Sequence, residues 1–302
     1  MKPIPFFLLA CALAMSCSHS PDSREQNCLK LIFSAEDFRE ELATKTVLDG
    51  NSFTWGASDT VGIYPNTGSQ IYFTMQNGAG TSSAVFDGGG WEFRTSAVYY
   101  SYYPFYGDFY LSKTHIPAVL TGQHQNGKSN IDHFGAFDYM YADAASSDAG
   151  SLAFSYHHLV CVIYVNATNL PAGTYRQLTI TAPTPVFAQT GHFSLLDPSP
   201  SIIADTSSQE LTLVLDNVTI AESEQVYFYL VSAPVDLKDT EITVSILNSQ
   251  KKQYNCIKTP SKAYEPGVKY GLGCSSWTEV PQSVGLAIED WGDGGSIGGD
   301  AD

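Results

Sequence analysis

The stretch LAFSYHHLVCVIYV (residues 152–165) decides the fold class of this chain. Its second part, HLVCVIYV, is the longest apolar run after the N-terminus, and it fits a buried β-strand rather than the ~18 residues of a transmembrane helix. His157 and His158 are neighbours here, and neighbouring strand residues point to opposite faces. We therefore predict a buried strand whose two histidines pack or hydrogen-bond separately and do not share one metal ion.

The segments on both sides of this stretch repeat the pattern of short apolar runs closed by turn residues. Before it come TVGIYP, IYFTM, SAVFD and AVYYSYYPFY, and after it come YRQLTITA, ELTLVLD, EQVYFYLVSA and EITVSIL. Strands that recur about every ten residues with frequent turns are typical of β-sandwiches rather than of βαβ units. Because both halves hold such runs, the chain is predicted to be all-β, with two tandem β-sandwich domains.

The N-terminal segment MKPIPFFLLACALAMSC reads as an export signal. Lys2 supplies the positive charge, and the apolar run at 4–15 has the length of a signal-peptide core. Small residues precede Cys17 as in a bacterial lipobox, so Cys17 is predicted to carry the lipid. Cys11, which follows Leu-Leu-Ala, is the competing site, and a soluble secreted protein is the other alternative. Two acyl chains would anchor the protein to a membrane without a spanning helix.

The division of the chain follows its composition. Residues 121–150 are rich in Gly, Asn, Asp, Ser and Ala, which favours a domain boundary near 143–151. The predicted parts are a lipoprotein signal peptide (1–16), a polar tether (17–27), an N-terminal sandwich (28–150), a C-terminal sandwich (151–274), and a C-terminal strand with an acidic, Gly-rich tail (275–302).

Charge and motifs exclude several function classes. The 302 residues carry 15 Lys and Arg against 31 Asp and Glu, a net charge of −16, which argues against binding to nucleic acid. No GxSxG, HExxH, P-loop or GxGxxG motif is present, so we expect no enzyme activity and no cofactor. His115, His124 and His133 have no fixed metal-ligand spacing, and the acidic tail matches no calcium-binding loop, so no metal site is predicted.

The cysteines and the densest aromatic run each leave two interpretations open. Four cysteines beyond Cys17 allow three disulfide pairings or buried free thiols, and the sequence does not choose: Cys28, Cys161, Cys256 and Cys274. The run YYSYYPFYGDFY (residues 99–110) is either a platform for stacking sugars or a strand that fills the core. We favour the core-filling strand.

Together these segments resemble the fimbrillin family, the pilin-like lipoproteins of type V pili. Each motif is weak alone, and the resemblance rests on their order over essentially the whole chain. The motifs are the lipobox and first strand CLKLIFSA, TKT followed by FTWGASDTVGIYP, VYYSYYPFY, the 152–165 stretch followed by YRQLTITA, and the closing elements VYFYLVSAPVDL and YEPGVKYGL.

The resemblance implies two transthyretin-like β-sandwich domains in a surface-exposed lipoprotein of the cell outer membrane. It also implies a pilus subunit whose partners are other pilus subunits. In stalk subunits of this family, a trypsin-like maturation protease cuts after a basic residue in the loop that follows the first strand. Here the candidates are Arg39 and Lys45. The first strand then leaves, and the C-terminal strand of the next subunit fills the groove.

The sequence agrees with strand exchange at both ends of the chain. The first strand, at about 28–35, alternates the apolar residues Leu29, Leu31 and Phe33. The predicted donor strand, at about 281–291, alternates Val284, Leu286 and Ile288, so both segments suit the same row of pockets. A tip or anchor subunit that is not cleaved and a surface glycan-binding lipoprotein remain the alternatives.

Overall fold

A computed structural model describes residues 30–35, 37, 39–41, 54–89, 91, 93–94, 97–108, 111–146 and 151–281. These residues form twenty β-strands and one turn of 3-10 helix, Phe134–Ala136, and they include no α-helix. Within these ranges, no helix has the length and apolar character needed to cross a membrane. The predicted all-β class is confirmed.

The first unit is a closed barrel of seven strands in the order β1-β10-β9-β6-β3-β4-β5. Gly62 of β3 is required there because a Cβ at this position would lie 2.1 Å from the Tyr102 ring of β6. The sheet of this unit, which the sequence predicts as a β-sandwich, closes on itself because β1 pairs with strands on both of its sides. The strands are β1 (Lys30–Ala35), β3 (Thr60–Pro65), β4 (Ile71–Asn77), β5 (Ser83–Asp87), β6 (Val98–Tyr103), β9 (Met140–Ser146) and β10 (Ser151–His158).

The second unit is a sandwich of two sheets, and alternate residues of its strands are buried between them, as in the ITVSILN sequence of β17. The four-stranded sheet has the order β16-β11-β19-β2, with β2 (Arg39–Glu41), β11 (Cys161–Ala167), β16 (Val226–Ser232) and β19 (Val268–Cys274). The six-stranded sheet has the order β20-β18-β17-β12-β15-β8, with β8 (Gln123–Asn126), β12 (Gly173–Thr181), β15 (Glu210–Ile220), β17 (Ile242–Asn248), β18 (Gln253–Lys258) and β20 (Thr278–Glu279).

A small three-stranded sheet joins the two units. Its order is β14-β13-β7, with β7 (Ile116–Val119), β13 (Phe187–Phe193) and β14 (Ile203–Ser208). Its buried residues Ile116 and Phe193 pack with Tyr102 of the barrel and with Val162 of the four-stranded sheet. We call this cluster the junction core, to distinguish it from the barrel core and the sandwich core.

The stretch 152–165 forms two strands rather than one, since it runs along β10 in the barrel and then along β11 in the sandwich. Cys161, Ile163 and Val165 of β11 lie in the sandwich core. Val162 and Tyr164 lie on the other face, in the junction core. This strand is covered on both faces, which explains why its sequence is continuously apolar instead of alternating.

The chain passes from barrel to sandwich one strand later than predicted. The predicted boundary between 150 and 151 separates β9 from β10, which are paired neighbours in the same barrel. The crossing falls instead between His158 and Cys161. In the other direction, β7 and β8 precede the predicted boundary but pair with β13 and β15 of the C-terminal half. The local composition of the chain does not predict such long-range pairings.

Candidate assembly site at the first strand

The first described strand, β1, lies between two strands of the barrel and completes it. All of its residues from Lys30 to Ala35 pair in parallel with β10, and Leu31 to Ser34 pair antiparallel with β5. If β1 were removed, β5 and β10 would each lose the backbone partner on one side, and an open groove would remain between them.

The neighbours of β1 supply an apolar lining for that groove. Leu31 is the register partner of Leu152 and Phe86, and Phe33 is the partner of Phe154 and Ala84. Directly opposite residues of paired strands share a face. All four of these neighbouring side chains are buried in the barrel core, so the backbone of β1 runs between two strands that turn apolar residues inward.

An aromatic cluster around Trp55 contacts both strands that flank β1. The Trp55 ring meets the rings of Phe86, Tyr103 and Tyr156 edge-on, with centroid separations of 5.1, 5.4 and 5.6 Å. Trp55 Nε1 donates a hydrogen bond to the Ser82 carbonyl at 3.3 Å. The tryptophan of the FTWGASDTVGIYP motif therefore packs against side chains of both strands that line the groove.

Asp59 of the same motif holds the turn that positions Trp55. Its Oδ2 accepts a hydrogen bond from the Gly56 amide at 2.7 Å, and its Oδ1 accepts one from the Tyr103 hydroxyl at 3.1 Å. Burial raises the pKa of the Asp59 carboxyl above its usual range, and these two hydrogen bonds partly offset that effect.

Arg39, predicted to lie in a loop, instead begins the short strand β2. Its backbone amide donates to the Gly267 carbonyl at 2.8 Å, and β2 then runs parallel to β19 at the edge of the four-stranded sheet. The Arg39 side chain is exposed. The segment 30–41 thus adds one strand to each unit, and the candidate cleavage site lies in the shorter of the two.

The other predicted site residues lie outside the described residues. They are the lipid-attachment residue Cys17 and its alternative Cys11, the second cleavage candidate Lys45, Leu29 of the first strand, and the donor residues Val284, Leu286 and Ile288. The last described strand, β20, pairs with β18 and lies at the edge of the six-stranded sheet.

The histidines of the 152–165 stretch behave as predicted. His158 Nδ1 and Asp138 Oδ1 are 2.7 Å apart, and the two side chains are only 1% and 4% exposed. His157 lies on the opposite face, with its Nε2 3.2 Å from Oδ2 of the exposed Asp143. The two imidazoles have separate partners, so the packed, hydrogen-bonded interpretation is confirmed.

The three remaining candidate histidines do not form one group. His124 pairs with Asp216, and His133 Nε2 donates to the Tyr229 carbonyl at 3.0 Å. Burial lowers the pKa of His133. His115 stacks on His192, a contact that sequence spacing gave no means of finding.

The described cysteines are buried free thiols, in keeping with one of the two interpretations left open: Cys161, Cys256 and Cys274. Burial raises the pKa of Cys161 to about 12. In the aromatic run, Tyr99, Tyr102 and Tyr103 are buried, which confirms the core-filling strand, whereas Tyr106 is exposed.

Comparison with known proteins identifies a family and a fold. A family model described as fimbrillin-like matches residues 43–291. The fold is similar to that of a proposed cell adhesion protein from Bacteroides uniformis, at 14% identity over 85% of this chain and 98% of that one, with a TM-score of 0.54. A second proposed cell adhesion protein, from Bacteroides ovatus, matches at 13% identity over 83% and 96%, with a TM-score of 0.52. The tip fimbrial protein Mfa3 from Porphyromonas gingivalis gives 9% identity over 74% and 93%, with a TM-score of 0.38. No curated protein sequence matches.

Proposed function

Because the chain belongs to the fimbrillin-like family, we propose that it is a structural subunit of a surface pilus and polymerises by strand exchange. The observation that carries this proposal is the position of β1. This strand pairs on both sides within the barrel, so its departure opens a groove for a strand of another subunit. No catalytic step is part of the proposal.

The groove suits a strand with apolar residues at alternate positions. The lining side chains Phe86, Leu152 and Phe154 are buried while β1 is in place, and they would face water without it. An incoming strand would restore the backbone hydrogen bonds on both sides. Burying three large apolar side chains such as Val284, Leu286 and Ile288 contributes roughly 4–9 kcal/mol before ordering costs.

Cleavage by a trypsin-like protease after Arg39 or Lys45 would release β1. Arg39 is exposed at a sheet edge, but its backbone is paired with β19. A protease needs a detached, extended segment, so β2 must first open locally. A three-residue edge strand is a suitable candidate for such opening. Cutting after Arg39 would separate the strand in the barrel from the strand in the sandwich.

The experiment that tests this proposal is limited trypsin treatment of the purified chain, followed by electrophoresis in SDS without heating. Wild type should give a ladder of SDS-resistant polymers, and Arg39→Gln combined with Lys45→Gln should give none. If wild type is cut at these residues and never polymerises, the stalk proposal fails and a tip subunit takes its place.

A donor-strand variant tests the other partner of the exchange. Ile288→Asp places a carboxylate in an apolar pocket and should abolish the ladder while the monomer melts as wild type does. Ala287→Asp adds the same charge on the opposite face of the alternating segment and should retain the ladder. If Ile288→Asp unfolds the monomer, the C-terminal strand belongs to its own fold and is not a donor.

A surface groove on the barrel supports a second candidate function, glycan binding. The groove has a volume of about 640 Å³ and is lined in part by Tyr72, Trp91 and Asp87. The two aromatic residues are 47% and 45% exposed, and aromatic faces beside carboxylates suit sugar rings. A panel of immobilised glycans should retain wild type but not Trp91→Ala if this function holds, and equal retention of both proteins would contradict it.

A further inference from the structure

Two histidines and an aspartate come together on the small three-stranded sheet, with His192 on β13, Asp205 on β14 and His115 directly before β7. The His115 and His192 rings stack with centroids 3.9 Å apart and planes inclined by 26°. His192 Nδ1 lies 2.8 Å from Asp205 Oδ1. One ligand atom from each residue lies within 4.8 Å of those from the other two. His115 and Asp205 are exposed, and His192 is half-buried, so the group is open to solvent.

The sheet register accounts for this convergence. His192 of β13 pairs with Pro117 of β7, so His115 lies diagonally beside it on the same face. The pairing of β13 with β14 shifts near Gly191, beside Asp205, and such irregularities re-aim side chains. A Cβ on Gly191 would lie 2.5 Å from the Ile203 carbonyl oxygen, so only glycine allows β14 to approach this closely.

We propose that His115, His192 and Asp205 bind a divalent first-row transition-metal ion such as Zn²⁺, with water in the remaining positions. Imidazole and carboxylate are the nitrogen and oxygen ligands of zinc, and three protein ligands plus water form an open zinc site. Zinc bonds of about 2.0–2.2 Å require the hydrogen bond between His192 and Asp205 to open and the His115 ring to turn out of its stack on His192, so that one atom of each residue faces the metal. The exposed His115 side chain can supply that movement by a change of rotamer.

A second exposed His–Asp pair serves as a comparison for the three-residue group. His124 and Asp216 are 3.2 Å apart and more than half exposed, but no third ligand group of the described chain joins them. At the proposed site, the second imidazole converts a pair into a three-ligand set. The metal would also connect β7, from the first half of the chain, to β13 and β14, from the second half.

Zinc titration of the full chain without a polyhistidine tag tests the site. After treatment with EDTA, the protein should compete with a chromophoric chelator for one equivalent of Zn²⁺. His115→Ala, His192→Ala and Asp205→Asn should each weaken binding by about tenfold or more. His124→Ala is the matched control and should bind as wild type does. Melting curves in EDTA should show that each variant is folded.

A second readout identifies the ligands directly. Co²⁺ bound in place of Zn²⁺ should give visible absorption bands that are lost in His115→Ala and His192→Ala and kept in His124→Ala. The proposal is overturned if wild type does not bind Zn²⁺ at micromolar concentrations. It is equally overturned if the folded His115→Ala and His192→Ala variants bind Zn²⁺ and Co²⁺ as wild type does.

Discussion

Adjacent histidines at the end of β10 show how one residue step changes the role of a side chain. The His158–Asp138 pair is almost fully buried, whereas His157 pairs with an exposed aspartate. Removing one partner of a buried pair leaves the other uncompensated. We expect His158→Ala to lower the free energy of unfolding by about 1–3 kcal/mol, because it leaves the buried Asp138 without this hydrogen bond, and His157→Ala to lower it by less than ~1 kcal/mol. Urea denaturation measures both, and equal losses would contradict this assignment.

The burial of Asp59 predicts the sign of one pH dependence of the fold. Because burial raises its folded-state pKa, its protonated form favours the folded state. Its contribution to stability is therefore fully present below the ordinary pKa of about 4 and is lost as the pH rises through the raised value. The variant Asp59→Asn does not titrate. As the pH is lowered from about 7 to about 4, the free energy of unfolding of wild type should thus rise relative to that of Asp59→Asn, as measured by urea denaturation. A fall in this relative free energy of unfolding would show that the folded-state pKa of Asp59 is lowered rather than raised.

At the scale of elements, strand β8 protects the edge of the four-stranded sheet with its side chains. Gln123 donates to the Val231 carbonyl and accepts from the Val231 amide, both at 2.7 Å. Gln125 makes the same kind of contacts with the carbonyl of Tyr227 and the amide of Tyr229, both at 3.0 Å. Two glutamines thus take the place of a neighbouring strand along β16.

Replacing one of these glutamines should lower the free energy of unfolding. Gln123→Ala leaves buried backbone groups of Val231 without a partner, which costs about 1–3 kcal/mol. Gln177→Ala is the control, because the hydrogen bond of Gln177 goes to a side-chain hydroxyl, and we expect a smaller effect. Denaturation midpoints measure the difference. If Gln123→Ala has no effect, water or a shift of β16 satisfies the exposed edge.

These elements also show what the sequence does and does not specify. Alternation in ITVSILN and in SAVFD predicts strands because one face of each is buried. The insertion of β1 between β5 and β10, and the transfer of β8 to the second unit, depend on parallel pairings between distant segments. Such pairings leave no local pattern. For the same reason His115 and His192 could not be matched from their spacing.

The predicted lipid anchor would decide where the chain resides. Cleavage after residue 16 removes Lys2 and leaves a net charge of −17, so attraction to anionic lipid would not hold the chain on a membrane. The acyl chains on Cys17 would supply the membrane affinity. Cys17→Ala should therefore move the protein from the membrane fraction to soluble or unprocessed fractions. If this variant is still labelled with palmitate, Cys11 and not Cys17 is the residue that carries the lipid.

The proposed strand exchange requires β1 to leave the barrel before subunits join, and a removable lock on β1 tests this requirement. Ser34 of β1 and Ser83 of β5 are register partners, and both are exposed. Directly opposite strand residues have the spacing that a disulfide needs. Ser34→Cys combined with Ser83→Cys, in a Cys28→Ser background, would therefore hold β1 in its groove after trypsin cleavage.

The measurement is polymer formation by the trypsin-treated double variant before and after reduction. We predict no SDS-resistant ladder while the disulfide is intact and a ladder like that of wild type once a reducing agent is added. The Ser83→Cys single variant should polymerise in both conditions. A ladder from the oxidised, fully crosslinked double variant would contradict strand exchange at β1.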